Sequence, residues 1–67
     1  MPARLSARER EIVQLLAEGR TNKEIATLLG IAYKTVDAHR TNIMKRLNMH
    51  SVAEVVRYAV RERIIQA

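Results

Sequence analysis

One pattern, repeated three times, constrains this chain more than any other. Ser6-Ala7-Arg8-Glu9, Thr21-Asn22-Lys23-Glu24 and Ser51-Val52-Ala53-Glu54 each place a glutamate three residues after a hydroxyl. Such a tetrad opens a helix, because the hydroxyl accepts from the fourth residue's amide and the glutamate reaches back to the first. Gly19 and Gly30 supply left-handed stops. The first helix therefore starts at Ser6, with Leu5 stapled onto its first turn and Ile12, Leu15 and Leu16 as its buried stripe. The second starts at Thr21 and buries Ile25, Leu28 and Leu29. A third is expected from about Tyr33 to Leu47, with Ala32 as an N-cap that has no capping oxygen. A fourth runs from Ser51 to about Arg63. No segment alternates like a strand, and no hairpin turn is present. The expected fold is all-α, a four-helix domain with a central helix-turn-helix over residues 1–67, its ordered part about 4–65.

Sixty-seven residues make one domain. A chain of that size buries only about 60% of its unfolded surface, which leaves no room for a deep catalytic cleft. No cysteine is present, so no disulfide staples the core and no thiolate can hold a metal. Lys and Arg outnumber Asp and Glu by 12 to 7, a net charge of +5 that makes the chain a candidate for polyanion binding. With two Tyr, no Phe and no Trp, stacking platforms for single strands are lacking. No apolar run approaches the roughly 20 residues of a membrane span, and no signal-peptide pattern opens the sequence. A cytoplasmic location is the expectation.

The informative stretch is Asn22 to Arg40. Gly30-Ile31-Ala32 is too short a link for its two helices to lie antiparallel. A tight turn with Gly at this position is the helix-turn-helix signature. Ala26 is small where the helices must approach, and Ile25, Leu29, Ile31 and Val36 are set to share a core. At about 100° per residue, the third helix divides into two faces. Val36, His39, Arg40, Ile43 and Leu47 fall on one side, and Lys34, Asp37, Ala38, Thr41 and Lys45 on the other. The second set has short side chains between terminal cations. Short side chains let a helix approach the major groove, and cations take phosphates or guanine edges. An ordinary solvated face has a similar composition; the turn and the basic balance favour the groove.

The runs Leu5-Ser6-Ala7-Arg8-Glu9-Arg10-Glu11, Thr21-Asn22-Lys23-Glu24-Ile25-Ala26 and Thr35-Val36-Asp37-Ala38-His39, with Gly19 between the first two, resemble the LuxR-type helix-turn-helix family. This is the bacterial DNA-binding domain of quorum-sensing regulators and of many two-component response regulators. The resemblance runs from about residue 4 to 65 and implies sequence-specific binding of double-stranded DNA for transcription regulation, with no cofactor. It implies base reading by Lys34, Asp37, Ala38 and Thr41, and backbone contacts from Asn22, Lys23, Thr35, Arg40 and Lys45. It also implies a homodimer through the fourth helix on an inverted repeat, weak without DNA. There the apolar spacing puts Val52, Val56 and Ala59 on one side and Val55 and Tyr58 on the flank; Val52, Val55 and Tyr58 are the expected contact residues. RNA polymerase is a further candidate partner. Ala32, where the family usually has Ser or Thr, and Asp37, where it often has a cation, depart from the pattern.

Other chemistry finds little support. His39 and His50 lack further ligands, so a metal site is not expected. Ser6, Thr21 and Ser51 open capping boxes and have no base partner, which makes them caps rather than nucleophiles. Met44 and Met49 read as core filler. The chain is not expected to be an enzyme. Two alternatives remain: a sigma-factor region that reads promoter DNA, and a helical adaptor that has lost DNA binding.

Overall fold

A computed structural model describes residues 4–66. Residues 1–3 and 67 lie outside the described residues. Four helices follow in order: α1 (Ala7–Ala17), α2 (Asn22–Leu29), α3 (Tyr33–Arg46) and α4 (Val52–Arg61). No strand occurs among the described residues.

The starts follow the tetrads. Ser6 and Thr21 form complete capping boxes with Glu9 and Glu24. The third box closes on one side only. Ser51 Oγ accepts from the Glu54 amide at 3.2 Å, but the Glu54 carboxylate accepts from the backbone of His50, one residue earlier than the tetrad predicts. Ala32 caps α3 in extended geometry with no side-chain bond. Ala32→Ser should therefore stabilise the domain by roughly 0.5–2 kcal/mol, since it adds an acceptor to a backbone already in capping conformation. Thermal melting of both proteins checks this, and an unchanged midpoint would show that solvent already satisfies those amides.

All four helices end in the same way. The amides of Arg20, Ile31, Met49 and Ile64 each bond the carbonyl five residues earlier, at 3.0, 3.1, 2.8 and 2.7 Å. This is the closure that a left-handed residue allows. Gly19 and Gly30 take that conformation at two ends, and Asn48 (φ 54°) and Arg63 (φ 58°) take it at the others. Asn tolerates it through its short polar side chain; Arg63 holds it against its intrinsic preference.

The core is Ile12, Val13, Leu16, Ile25, Val36, Ile43, Met49, Val55 and Ala59. It sits under α1, which touches each of the other helices and packs most extensively on α4, while α2 packs chiefly on α3. One apolar expectation fails, and one core residue was not expected. Leu28 is 55% exposed, because the short α2 turns Ile25 inward and leaves Leu28 on its outer side. Val13, not singled out from the sequence, is fully buried.

Candidate nucleic-acid interface

A three-residue link, Gly30-Ile31-Ala32, joins α2 to α3. Gly30 sits at φ 66°, and the Ile31 amide returns to Ala26. Ile25 and Val36 are completely buried where the two helices meet. This packing fixes which side of α3 faces out. Val36 and Ile43 point into the core, with His39, Arg40 and Leu47 half-buried beside them. Lys34, Thr35, Asp37, Ala38, Thr41 and Lys45 are all exposed. From Lys34 to Lys45 the helix axis advances about 16 Å, long enough to lie along a major groove.

The expected site residues form two groups. Lys34, Ala38, Thr41 and Lys45 line the outer face of α3, with no side-chain hydrogen bond to them among the described residues. Asn22, Asp37 and Arg40 are joined. Arg40 Nη1 donates to Asn22 Oδ1 at 3.0 Å, and Asn22 Nδ2 donates to Asp37 Oδ1 at 3.4 Å. Asn22 is the first residue of α2, so this chain ties the start of one helix to the middle of the other. Lys23 stands beside it, exposed. Asp37 is the one carboxylate of α3, on a face that also carries Lys34 and Lys45.

A second tie was not anticipated. Arg46 Nη2, in the last turn of α3, donates to Glu9 Oε1 at 2.7 Å and to the Arg4 carbonyl at 3.3 Å. The same Glu9 oxygen accepts from the Ser6 amide at 2.8 Å. The sequence marks Glu9 only as a cap partner, and nothing in local spacing connects it to a residue 37 positions away. The bond from Arg46, reinforced by the Ser6 amide, lowers the Glu9 carboxyl from 4.5 to about 2. A carboxyl held below its unfolded value stabilises the fold while ionised. That stabilisation is complete above about pH 4.5 and is lost as pH falls towards 2. Because Arg46 is largely exposed, solvent screening holds the contribution to on the order of 1 kcal/mol. Glu9→Gln should lower the urea midpoint at neutral pH and flatten its fall between pH 4.5 and 2. Parallel curves for the two proteins across that range would show that the pair contributes nothing.

On α4 the structure corrects the sequence reading. Val55 is buried at 1% exposure in the monomer core, so it is not available to a second copy. The buried line is Val55 and Ala59, which turns Val52, expected on the core side, outward to 45% exposure. Val56 and Val60 are half-buried on the same flank. Tyr58 is half-buried on the other flank, packed against the core, with Arg61 over its ring at 5.6 Å. Burial pushes the Tyr58 phenol up.

Among the described residues there is no group of three or more His, Cys, Asp or Glu that could hold a metal ion. No helix among them is long and apolar enough to cross a membrane.

A short basic domain whose second and third helices form a helix-turn-helix, with a polar outer face on the third, has the architecture of a DNA-binding regulator domain. Residues 3–59 match the family described as bacterial regulatory proteins, luxR family, and the chain belongs to it. It is 54% identical over 57 residues to the response regulatory protein YgeK of Escherichia coli (strain K12), covering 85% of this chain and 39% of that protein. It is 49% identical over 61 residues to the oxygen regulatory protein NreC of Staphylococcus carnosus (strain TM300), covering 91% of this chain and 28% of NreC. NreC of Staphylococcus epidermidis (strain ATCC 12228 / FDA PCI 1200) is 47% identical over 62 residues, covering 92% and 28%. The chain thus spans between 28% and 39% of the length of these curated relatives.

Proposed function

We propose that this chain binds double-stranded DNA sequence-specifically and regulates transcription in the bacterial cytoplasm, with α3 in the major groove. One observation carries the reading. In a member of the luxR family, the burial of Ile25 on α2 and Val36 on α3 in one core leaves outward a face of α3 made of short side chains between cations. Lys34, Asp37, Ala38 and Thr41 read base edges, and Lys23, Thr35, Arg40 and Lys45 hold phosphates, with Asn22 at the edge of that contact. The adaptor alternative is disfavoured by the same face, which is polar and cationic where a helix-binding groove would be apolar.

The test is selection of bound sequences from a random duplex pool. Lys34→Ala and Thr41→Ala should each change the selected motif, at a cost of about 1–3 kcal/mol confined to particular positions. Lys45→Ala should weaken all sequences alike. An unchanged motif in both of the first two variants contradicts the assigned reading face.

One reading helix spans too few base pairs for tight specific binding, so we further propose that two copies pair through α4 on an inverted repeat. The exposed Val52, continued by Val56, supports this flank as the contact, with Tyr58 at most at its rim. The two reading helices then lie about one DNA turn apart, near 34 Å. So small a contact leaves the free chain mostly monomeric. Val52→Glu should keep the helical circular dichroism while abolishing cooperative binding to a two-half-site duplex. Equal cooperativity in the variant would exclude this flank.

A further inference from the structure

Asp37 is the one carboxylate on the reading face of α3, and it stands where phosphates repel it. Its surroundings are ordered by donor and acceptor chemistry. Arg40 can only donate, and an ionised Asp37 can only accept. The Asn22 amide has one end of each kind. With its oxygen taken by Arg40 Nη1 at 3.0 Å, its NH2 is turned towards Asp37 Oδ1, 3.4 Å away. No other orientation of that amide satisfies both neighbours. The backbone that carries this amide is set by the Thr21 cap, since Asn22 is the first residue of α2.

We propose that Asn22 is a specificity-determining positioning residue: held by Arg40, it occupies one oxygen of Asp37 and aims the other at the exocyclic amino group of a cytosine. The inference rests on the DNA-reading role of α3 and gives Asn22 a task beyond backbone contact. In the major groove, cytosine presents an amino donor, whereas guanine and thymine present acceptors at the corresponding edge. A carboxylate free to rotate can turn away from a guanine or thymine towards solvent. A carboxylate with one oxygen bound cannot do so without breaking that bond. The Asn22–Arg40 bond thereby makes a wrong base costlier, and a right one needs no rearrangement.

A purely structural brace between α2 and α3 would use the same bonds, so the test must read base preference separately from stability. The probes are the motif selected by the parent from a random duplex pool and duplexes carrying each of the four bases at every position of it. The parent should prefer cytosine at one position per half-site by about tenfold, the scale of one good base contact. Asp37→Ala should abolish that preference. Asn22→Ala should reduce it severalfold at the same position and no other. The double variant should show no further change in preference over Asp37→Ala, because Asn22 acts through Asp37. Asn22→Asp guards against misfolding, since an acidic residue suits a helix N-terminus and pairs with Arg40 but cannot donate to Asp37. It too should lose the preference, with the fold followed by thermal melting.

Uniformly weaker binding with the cytosine preference intact, in either Asn22 variant, overturns the proposal and makes Asn22 a plain backbone contact. Retention of the preference in Asp37→Ala overturns it as well. If the parent selects no motif at all, the DNA-reading function fails and this inference with it. If a motif appears without the Asn22 dependence, only the inference fails.

Discussion

Raising the salt concentration from about 50 to about 200 mM should weaken duplex binding roughly fortyfold for each copy of the domain. Three cations are proposed to hold phosphates, Lys23, Arg40 and Lys45, while Lys34 reaches a base edge. Each neutralised phosphate contributes about −0.9 to the slope of log affinity against log salt on B-DNA, so three give a slope of about −2.7. A fourfold rise in salt then costs a factor of about 40, and two copies on one inverted repeat roughly double that exponent. Asp37 and the half-buried state of Arg40 work against the full value, which makes the estimate an upper one. Lys45→Ala should reduce the slope by about one. The checking measurement is a binding isotherm at several salt concentrations. A flat dependence would mean that these cations do not meet phosphate.

The second large effect concerns folding. Ile25→Ala should destabilise the domain by about 2–5 kcal/mol, because it empties the contact between α2 and α3. Ile25 is fully buried, and its neighbours across the turn are held by the three-residue link. That link limits how far α3 can relax into the space. A domain of this size has only about 3–10 kcal/mol of total stability. Much of the variant should therefore be unfolded at growth temperature, with DNA binding lost in proportion. Urea unfolding followed by circular dichroism measures the change. A midpoint equal to that of the parent would show that the α2–α3 contact is not what holds the turn.

The sequence and the structure agree where local chemistry decides. The capping tetrads fix where α1, α2 and α4 begin, because an N-cap is an interaction within four residues. Gly30 fixes the turn for the same reason. The outer face of α3 was legible because its apolar residues, Val36, Ile43 and Leu47, define one phase only. On α4 the phase is degenerate. Val52, Val55, Val56, Ala59 and Val60 spread over a broad apolar arc, and only packing against α1 selects Val55 and Ala59 as the buried line. That is why Val55 was placed on the flank and Val52 in the core. Residues far apart in sequence were illegible altogether. Arg46 meets Glu9 across 37 positions, and Asn22 meets Arg40 across 18, as a result of helix crossing angles. The left-handed Arg63 carries no signal in its residue type, since the conformation is imposed by the Ile64 amide returning to Ala59.

Methylation interference on a selected duplex tests the central claim most directly. Dimethyl sulfate marks guanine N7 in the major groove and adenine N3 in the minor groove. If α3 reads the major groove, N7 methylation should block binding in two patches about one DNA turn apart. One of those guanines should cease to matter in Lys34→Ala, because the cation that reaches its edge is gone. Interference confined to adenine N3, or none at any position, would contradict the account.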